Sequence, residues 1–214
     1  MNSAIVAAPT IEQVRVALRK PLPGLDAQVA MAPSPRLFDS SAGAEPRKAG
    51  VLLILYPIGD ALHLPLTVRT PDLEHHSGQV SFPGGGWEEG DCSLQETALR
   101  EAQEEIGVSA AALEILGALT PLYIPTSNNV IHPFVAYTPR RPAFRLDKRE
   151  VAELLEIPVS LLLDPATRRE EDWLWHGAAL HVPFFAVGQY KIWGATAIVL
   201  AEFLALLGDP PSPD

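Results

Sequence analysis

The acidic residues of the chain are concentrated in one short window that could bind a cation. Residues 88–105 contain seven Asp or Glu residues and a single base, Arg100. This window carries −6 of the net charge of −10 in a chain of 214 residues. Like charges four residues apart destabilise a helix, and anions near its C-terminal end oppose the helix dipole. A sequence that accepts both penalties indicates a bound cation.

Three of these carboxylates are predicted to share one face of a helix. At about 100° per residue, Glu101 and Glu105 lie about 40° apart, and Glu104 lies about 60° to the other side of Glu101. Oxygen ligands suit Mg²⁺ or Mn²⁺ rather than zinc, which prefers nitrogen and sulfur. We expect Glu101 and Glu105 to be direct ligands, with Glu104 as the next candidate. The alternative is an ordinary solvated acidic helix face.

The helix that carries these carboxylates has start and stop signals. Ser93 and Glu96 form a predicted capping box, and Gly107 stands where a C-terminal glycine is favoured. Before the helix, Gly84-Gly85-Gly86 allows the backbone to turn sharply and to approach phosphate or metal, so its first two glycines are candidate substrate-binding residues. Arg100 is expected to be structural, holding the helix against this loop through a carboxylate.

The rest of the sequence predicts strands and helices in an irregular order. Apolar runs predict strands at 51–56, 61–69, 79–82, 113–120, 130–137 and 180–187. Helical spacing predicts helices at 10–20, 93–107 and 191–207. Residues 157–163 fit either a strand or a helix. Because strands and helices do not alternate regularly, we expect an α+β domain with a mixed sheet and helices packed on it.

Length and composition limit the organisation and the class of partner. At about 150 residues per domain, we place one domain at 50–208, a helix and irregular extension at 1–49, and a tail at 209–214. Residues 21–49 could order on substrate or at a homodimer interface, or stay mobile. The acidic composition argues against nucleic acid as a partner, and no apolar stretch reaches the about 20 residues of a membrane span. One cysteine fits a reducing, cytoplasmic compartment.

The acidic window resembles the signature box of Nudix hydrolases. The stretch Arg100-Glu101-Ala102-Gln103-Glu104-Glu105-Ile106-Gly107-Val108 is similar to its second half, Arg-Glu-U-x-Glu-Glu-x-Gly-U, in which U is aliphatic. The first half of the box is usually Gly-x5-Glu-x7. Here Gly85 begins it, Asp91 replaces the glutamate, and the spacing to Arg100 is one residue longer.

This departure resembles the coenzyme A pyrophosphatase branch of the family, whose boxes commonly have an aspartate and the longer spacing. Further stretches that resemble this branch are 66–70, 73–85, 150–153 and 192–197. The resemblance covers residues 50–207. Two features depart from the branch: Glu74 stands where an arginine is usual, and 126–130 lacks the expected Ser-Gly loop. Both departures bear on the choice of substrate.

The resemblance implies the Nudix fold, an αβα sandwich with a mixed sheet between helices. It also implies a Mg²⁺- or Mn²⁺-dependent hydrolase of a small-molecule nucleoside diphosphate. The implied substrate is coenzyme A or acyl-CoA, split into 4′-phosphopantetheine (or its acyl form) and adenosine 3′,5′-bisphosphate. One alternative is a Nudix hydrolase of ADP-ribose, a dinucleoside polyphosphate or a nucleoside triphosphate. Another is a Nudix-fold binding module without turnover.

Several residues outside the helix are candidates for the same chemistry. Nudix enzymes often take the general base from outside the box, and Glu150 with Glu153 matches that position. Their alternative role is a pair of glutamates at a helix N-terminus. Glu104 is a further catalytic candidate. Arg69 follows a strand and could bind a substrate phosphate or be a surface cation, and His76 could contact substrate or cap a loop.

Overall fold

The structure, a computed structural model, describes residues 8–35, 45–70, 78–175 and 177–208, which form two β-sheets with helices around them. The strands are β1 (Arg47–Ile58), β2 (Ala61–Arg69), β3 (Val80–Ser81), β4 (Gly84–Gly86), β5 (Glu114–Ala118), β6 (Leu122–Ile124), β7 (Asn129–Tyr137), β8 (Val151–Pro158), β9 (Arg168–Trp175), β10 (Ala178–Val187) and β11 (Tyr190–Trp193). The helices are α1 (Ile11–Ala17), α2 (Leu25–Gln28), α3 (Leu94–Ile106), α4 (Val159–Leu163) and α5 (Gly194–Leu206).

The larger sheet is mixed and is built around β1. Strand β1 pairs with β7 in parallel and with β2 and β4 in antiparallel orientation. Strands β3 and β8 add to β2, and β5 and β6 add to β7. Strands β11, β10 and β9 form the second sheet in that order. The chain therefore has the mixed sheet that its irregular order of elements predicts.

Helices cover both faces of the larger sheet. Successive residues of β1 point to opposite faces, so alternate residues pack against different helices. Leu52 and Ile54 pack with Ala102 of α3 in one apolar cluster. Leu53 and Leu55 belong to a second cluster, which includes residues of α1 and α5. Burial on both faces explains the continuous apolar run in this strand. The sheet lies between helices, which confirms the predicted αβα sandwich.

A buried carboxylate ties the N-terminal segment to the C-terminal helix. Glu202 of α5 has no exposed surface and accepts hydrogen bonds from the Thr120 hydroxyl (2.6 Å) and the Gln28 side-chain amide (2.9 Å). Gln28 belongs to α2, a short helix within 21–49, a segment that the sequence predicts to be irregular throughout. That prediction is wrong at α2, where the Gln28 side chain supplies, beside Thr120, a second side-chain partner to a buried carboxylate.

The C-terminal helix begins later than its apolar pattern predicts. The pattern indicates a helix over 191–207, but the first three of these residues belong to β11. Ile192 lies opposite Phe185 of β10 and is fully buried, so sheet pairing takes up an apolar residue that the pattern assigns to the helix. The ambiguous stretch 157–163 holds both element types, since β8 ends at Pro158 and α4 follows. Within the described ranges, no helix is both long and apolar enough to cross a membrane.

A glycine in β1 allows α3 to lie directly on the sheet. A Cβ atom at Gly50 would be 2.3 Å from the Leu94 carbonyl oxygen and 3.0 Å from the Ala98 backbone nitrogen. Both distances are shorter than packed atoms can tolerate without a shift of the backbone. The first turn of α3 therefore contacts the backbone of β1, which sets the height of the helix above the sheet.

Replacing Gly50 by alanine is expected to push α3 away from β1 and to lower the free energy of unfolding by about 1–3 kcal/mol. Gly86→Ala is the matched control, because a Cβ atom there meets nothing within 4 Å, and its cost should stay below about 0.5 kcal/mol. Urea unfolding of both variants measures the difference. Equal losses of stability would contradict the importance of this contact.

Candidate functional site

The helix α3 starts and ends at the residues that the sequence indicates. The Ser93 hydroxyl accepts a hydrogen bond from the Glu96 backbone N–H (3.2 Å). The Glu96 carboxylate, however, accepts from the N–H of Cys92 (2.7 Å) rather than of Ser93, so the predicted capping box is only half formed. Gly107 ends the helix at φ +73°, where a Cβ atom would be 2.8 Å from the Cβ of Arg145.

Arg100 connects α3 to the loop that precedes it. Its guanidinium donates two hydrogen bonds to the Asp91 carboxylate (3.0 and 3.1 Å) and one to the Gly86 carbonyl oxygen (3.1 Å). It also donates to the carboxylates of Glu101 (3.0 Å) and Glu104 (3.1 Å). A planar guanidinium can satisfy several acceptors in a fixed geometry. The structure thus places Arg100 where it holds the helix against β4.

Asp91 serves as the acceptor that fixes this loop. Besides Arg100, its Oδ2 accepts hydrogen bonds from the Thr97 hydroxyl (2.8 Å) and from the Glu88 backbone N–H (3.1 Å). The hydrogen bonds from Arg100, with those from Glu88 and Thr97, hold the pKa of Asp91 well below its usual range. Its side chain is 6% exposed. The charged form of Asp91 is therefore part of the folded structure.

The contribution of Asp91 to stability should depend on pH. Because folding lowers its pKa, the charged carboxylate stabilises the fold above the ordinary aspartate pKa, and this stabilisation is lost as the pH falls below about 4. The difference in unfolding free energy between wild type and Asp91→Asn should be largest near neutral pH and shrink in acid. Chemical unfolding across pH 7 to about 3 measures it. Asp60→Asn, in the exposed β1–β2 turn, is the control; a pH-independent difference at Asp91 would contradict the argument.

Glu105 is the buried carboxylate at the centre of the site. The residue is 5% exposed, and its Oε2 has no hydrogen-bond partner among the described residues. Burial raises the pKa of Glu105 to about 8, and the negative charges of Glu101 and Glu150 act in the same direction. The positive charge of Arg69 and a hydrogen bond from the Gly84 backbone oppose this rise. A carboxylate in this setting is well suited to bind a cation.

The glycine strand β4 lies directly against the acidic residues. A Cβ atom at Gly85 would be 2.3 Å from Oε1 of Glu101, so only glycine allows the backbone to come this close. A Cβ atom at Gly84 would be 2.4 Å from the Gly50 carbonyl oxygen of β1. Burial raises the pKa of Glu101, while Arg100 opposes it. The two predicted glycines therefore line the site beside Glu101.

Glu150 reaches the same site from the turn that precedes β8. The Asp147 backbone N–H donates to the Glu105 carbonyl oxygen (2.9 Å), and the Asp147 carbonyl oxygen accepts from the N–H of Glu150 (3.0 Å). The Thr70 N–H donates to the Glu150 carbonyl oxygen (3.0 Å). These bonds bring Glu150 close enough for its charge to raise the pKa of both Glu101 and Glu105. The predicted alternative, a helix N-terminus at this position, is wrong because the residues enter a strand.

Sequence reasoning missed the two residues that position Glu150. Asp147 holds its turn through backbone and side chain, since its carboxylate accepts from the Arg149 N–H (3.0 Å). The Thr70 hydroxyl, 7% exposed as a residue, donates to the Arg149 carbonyl oxygen (3.0 Å). Aspartate is common in turns because its carboxylate can accept a backbone N–H two residues later, and this preference could have identified Asp147 from the sequence. Nothing local in the sequence marks Thr70, whose partner is distant along the chain.

The other predicted site residues are not all brought to Glu105. Glu153 accepts a hydrogen bond from the Tyr190 hydroxyl of β11, whereas the charged groups that act on the pKa of Glu105 are Glu101, Arg69 and Glu150. The Glu104 side chain is 59% exposed and lies at the edge of the site, bound to Arg100. His76 lies outside the described residues. Arg69 acts on Glu105 by its charge, and its Nε is buried without a hydrogen-bond partner among the described residues.

A comparison with known families identifies this arrangement. The NUDIX domain profile matches residues 46–176, which run from the start of β1 into the second sheet and include the whole acidic site. The chain belongs to the Nudix family. The resemblance of Gly85, Arg100 and the following glutamates to the Nudix box therefore reflects membership of that family.

Named relatives are also Nudix hydrolases. The chain is 36% identical over 173 residues to "Nudix hydrolase 22, chloroplastic" of Arabidopsis thaliana, a match that covers 78% of this chain and 57% of that protein. It is 34% identical over 146 residues to "Uncharacterized Nudix hydrolase NudL" of Escherichia coli O1:K1, covering 68% of this chain and 76% of the relative. The chain thus spans little more than half the length of the first of these relatives.

Solved structures share the fold at low sequence identity. A Nudix hydrolase from M. smegmatis, RenU, superposes with a TM-score of 0.54 at 17% identity and covers 79% of this chain and 90% of its own. The MutT protein of Methanosarcina mazei Go1 gives a TM-score of 0.51 at 18% identity, covering 79% of this chain and 100% of its own. These similarities confirm the Nudix fold of the chain.

Nudix hydrolases generally use divalent metal ions, and the acidic site fits such an ion. Within the described ranges, no three His, Cys, Asp or Glu side chains are already grouped as a metal site. Arg100 instead binds oxygens of Glu101 and Glu104. The observation that favours a cation is the buried, unpartnered Oε2 of Glu105 with its raised pKa. Carboxylate oxygens are the ligands that Mg²⁺ and Mn²⁺ prefer.

Proposed function

We propose that this Nudix hydrolase cleaves the diphosphate of coenzyme A or acyl-CoA, with Mg²⁺ or Mn²⁺, to 4′-phosphopantetheine (or its acyl form) and adenosine 3′,5′-bisphosphate. The observation that carries the proposal is the grouping of two carboxylates, Glu101 and Glu150, and one arginine, Arg69, around the buried Glu105. The choice of coenzyme A is supported by the stretches 66–70, 73–85, 150–153 and 192–197, which resemble the coenzyme A pyrophosphatase branch. The single cysteine favours a reducing, cytoplasmic compartment.

The metal would be held by the carboxylates of α3. Glu105 offers a buried oxygen without a partner, and Glu101 lies beside it against Gly85. Glu104, more exposed, would complete the set from the edge of the site. When bound, the ion would neutralise charge on the diphosphate and make a bound water more acidic. The high pKa of Glu105 in its absence means that cation binding displaces a proton near neutral pH.

Arg69 is the candidate for binding a substrate phosphate. It ends β2, and its charge acts on Glu105, so it lies at the border of the acidic site. Its buried Nε lacks a protein partner in the described part of the chain. Hydrogen bonds from a guanidinium to phosphate oxygens are charge-assisted and stronger than neutral ones. A diphosphate would therefore satisfy Arg69 on one side and the metal on the other.

Glu150 is the candidate general base. It is exposed, its backbone is fixed by Asp147 and Thr70, and its charge acts on the proposed metal ligands. An exposed carboxylate next to the site can accept a proton from an attacking water without being a ligand itself. Glu153, proposed for the same role from sequence, is held by Tyr190, which favours Glu150.

The variant Glu150→Gln should lower turnover at least about 100-fold, because it keeps the side-chain shape and removes the proton acceptor. Metal affinity should change little, because Glu150 is not among the proposed ligands. Steady-state kinetics and metal titration by calorimetry measure the two quantities. Glu153→Gln is the matched control and should retain most activity. An unchanged turnover number in Glu150→Gln would reject the proposed role.

Product analysis tests the reaction and the substrate together. With coenzyme A and Mg²⁺ or Mn²⁺, wild type should release adenosine 3′,5′-bisphosphate, and Glu105→Gln should not, because it removes a metal ligand. Product from both proteins would exclude Glu105 from the metal site. AMP from ADP-ribose, with nothing from coenzyme A, would keep the chemistry and overturn the substrate. No product from any diphosphate would favour a binding module.

A further inference from the structure

The connection between β7 and β8 carries an unusual concentration of positive charge. In this acidic chain, five of the 16 Lys and Arg residues fall within residues 140–149, which contain a single acid, Asp147. We call residues 140–149 the basic segment. It is exposed along most of its length and leads directly into Glu150. Its charge thus lies next to the most acidic part of the molecule.

Two of the five cations are already paired. The Arg141 guanidinium binds the Glu156 carboxylate with two hydrogen bonds (2.6 and 2.7 Å). Arg149 binds the Asp147 carboxylate in a similar way (2.5 to 3.1 Å). In the part of the chain that the structure describes, the exposed side chains of Arg140, Arg145 and Lys148 have no ion pair or hydrogen bond, and the last two lie on the stretch that leads into Glu150. These two cations are available to an anion from solution.

The basic segment is fixed against the last turn of α3. The Arg145 backbone N–H donates to the Ile106 carbonyl oxygen (2.9 Å), and the Asp147 N–H donates to the Glu105 carbonyl oxygen (2.9 Å). The absence of a side chain at Gly107 gives Arg145 room to pack there. The basic segment therefore docks its backbone on the end of the helix that carries Glu105, and Lys148 lies two residues before Glu150.

Stabilisation of α3 does not account for both of these side chains. Cations near a helix C-terminus interact favourably with its free carbonyl groups. Here the carbonyl oxygens of Glu105 and Ile106 already accept backbone hydrogen bonds from the basic segment. The side chains of Arg145 and Lys148 are left exposed, and they add two positive charges near the proposed site for a polyanionic substrate.

We propose that Arg145 and Lys148 bind a phosphomonoester that the substrate carries outside its diphosphate. This rests on the proposed function, in which that group is the 3′-phosphate of coenzyme A. The 3′-phosphate is separated from the diphosphate by one ribose ring, and it is dianionic near neutral pH. Arginine can bind two of its oxygens as a fork, while lysine adds a compact charge. The subsite would select nucleotides with a phosphate on the ribose over those without one.

The test compares coenzyme A with 3′-dephospho-coenzyme A, which has the same diphosphate and lacks the phosphomonoester. Wild type should favour coenzyme A. The double variant Arg145→Gln/Lys148→Gln should lose at least about tenfold in kcat/KM on coenzyme A, mainly through KM, because two charge-assisted contacts are removed. On 3′-dephospho-coenzyme A, which lacks the group these residues bind, kcat/KM should change less than about twofold.

A charge-matched control separates the subsite from a general field effect. The double variant Arg19→Gln/Lys20→Gln removes two exposed cations just after α1, in the helical layer on the opposite face of the sheet, and should leave the preference between the two substrates unchanged. Equal losses on both substrates in the double variant would assign the two cations to structure and overturn the subsite, with the proposed function intact. If wild type hydrolyses neither substrate, the proposed function fails and the subsite fails with it.

Discussion

The burial of Glu105 next to other carboxylates is the interaction on which the rest of the site depends. Removal of a carboxylate from water favours its protonated form, and neighbouring negative charges strengthen that preference. Such a group is stable in a fold only where other contacts hold its element in place. In this chain the contact of Gly50 with α3 and the hydrogen bonds of Arg100 to Asp91 do so. Neither contact reaches Oε2 of Glu105, which has no hydrogen-bond partner among the described residues.

The site combines an acidic centre with a basic border, which suits an anionic substrate that binds together with a cation. A chain with a net charge of −10 repels a free diphosphate at long range. A divalent ion at the carboxylates would invert the local field, and Arg69 supplies a positive charge that acts on Glu105. With a metal bound at the carboxylates, the proposed diphosphate would lie between that ion and Arg69.

The second sheet and the N-terminal segment contribute to this arrangement from a distance. Tyr190 of β11 binds Glu153 of β8, so a hydrogen bond joins the second sheet to the strand of the larger sheet that follows Glu150. On the opposite face, Glu202 joins α5 to α2 and to the residues before β6. These contacts support the sheets and helices around the site. The hydrogen bond to Tyr190 also gives Glu153, a catalytic candidate from the sequence, a structural role.

Local signals determined which residues could form the site. The caps of α3 and the shared face of Glu101 and Glu105 follow from the sequence, because capping and helical periodicity depend on neighbours a few residues apart. Only the tertiary structure decided that Glu105 is buried, that Glu150 lies close enough to raise the pKa of Glu105, and that Glu153 accepts a hydrogen bond from Tyr190. Burial, pairing and pKa depend on side chains distant along the chain, whose positions are set by how the layers pack.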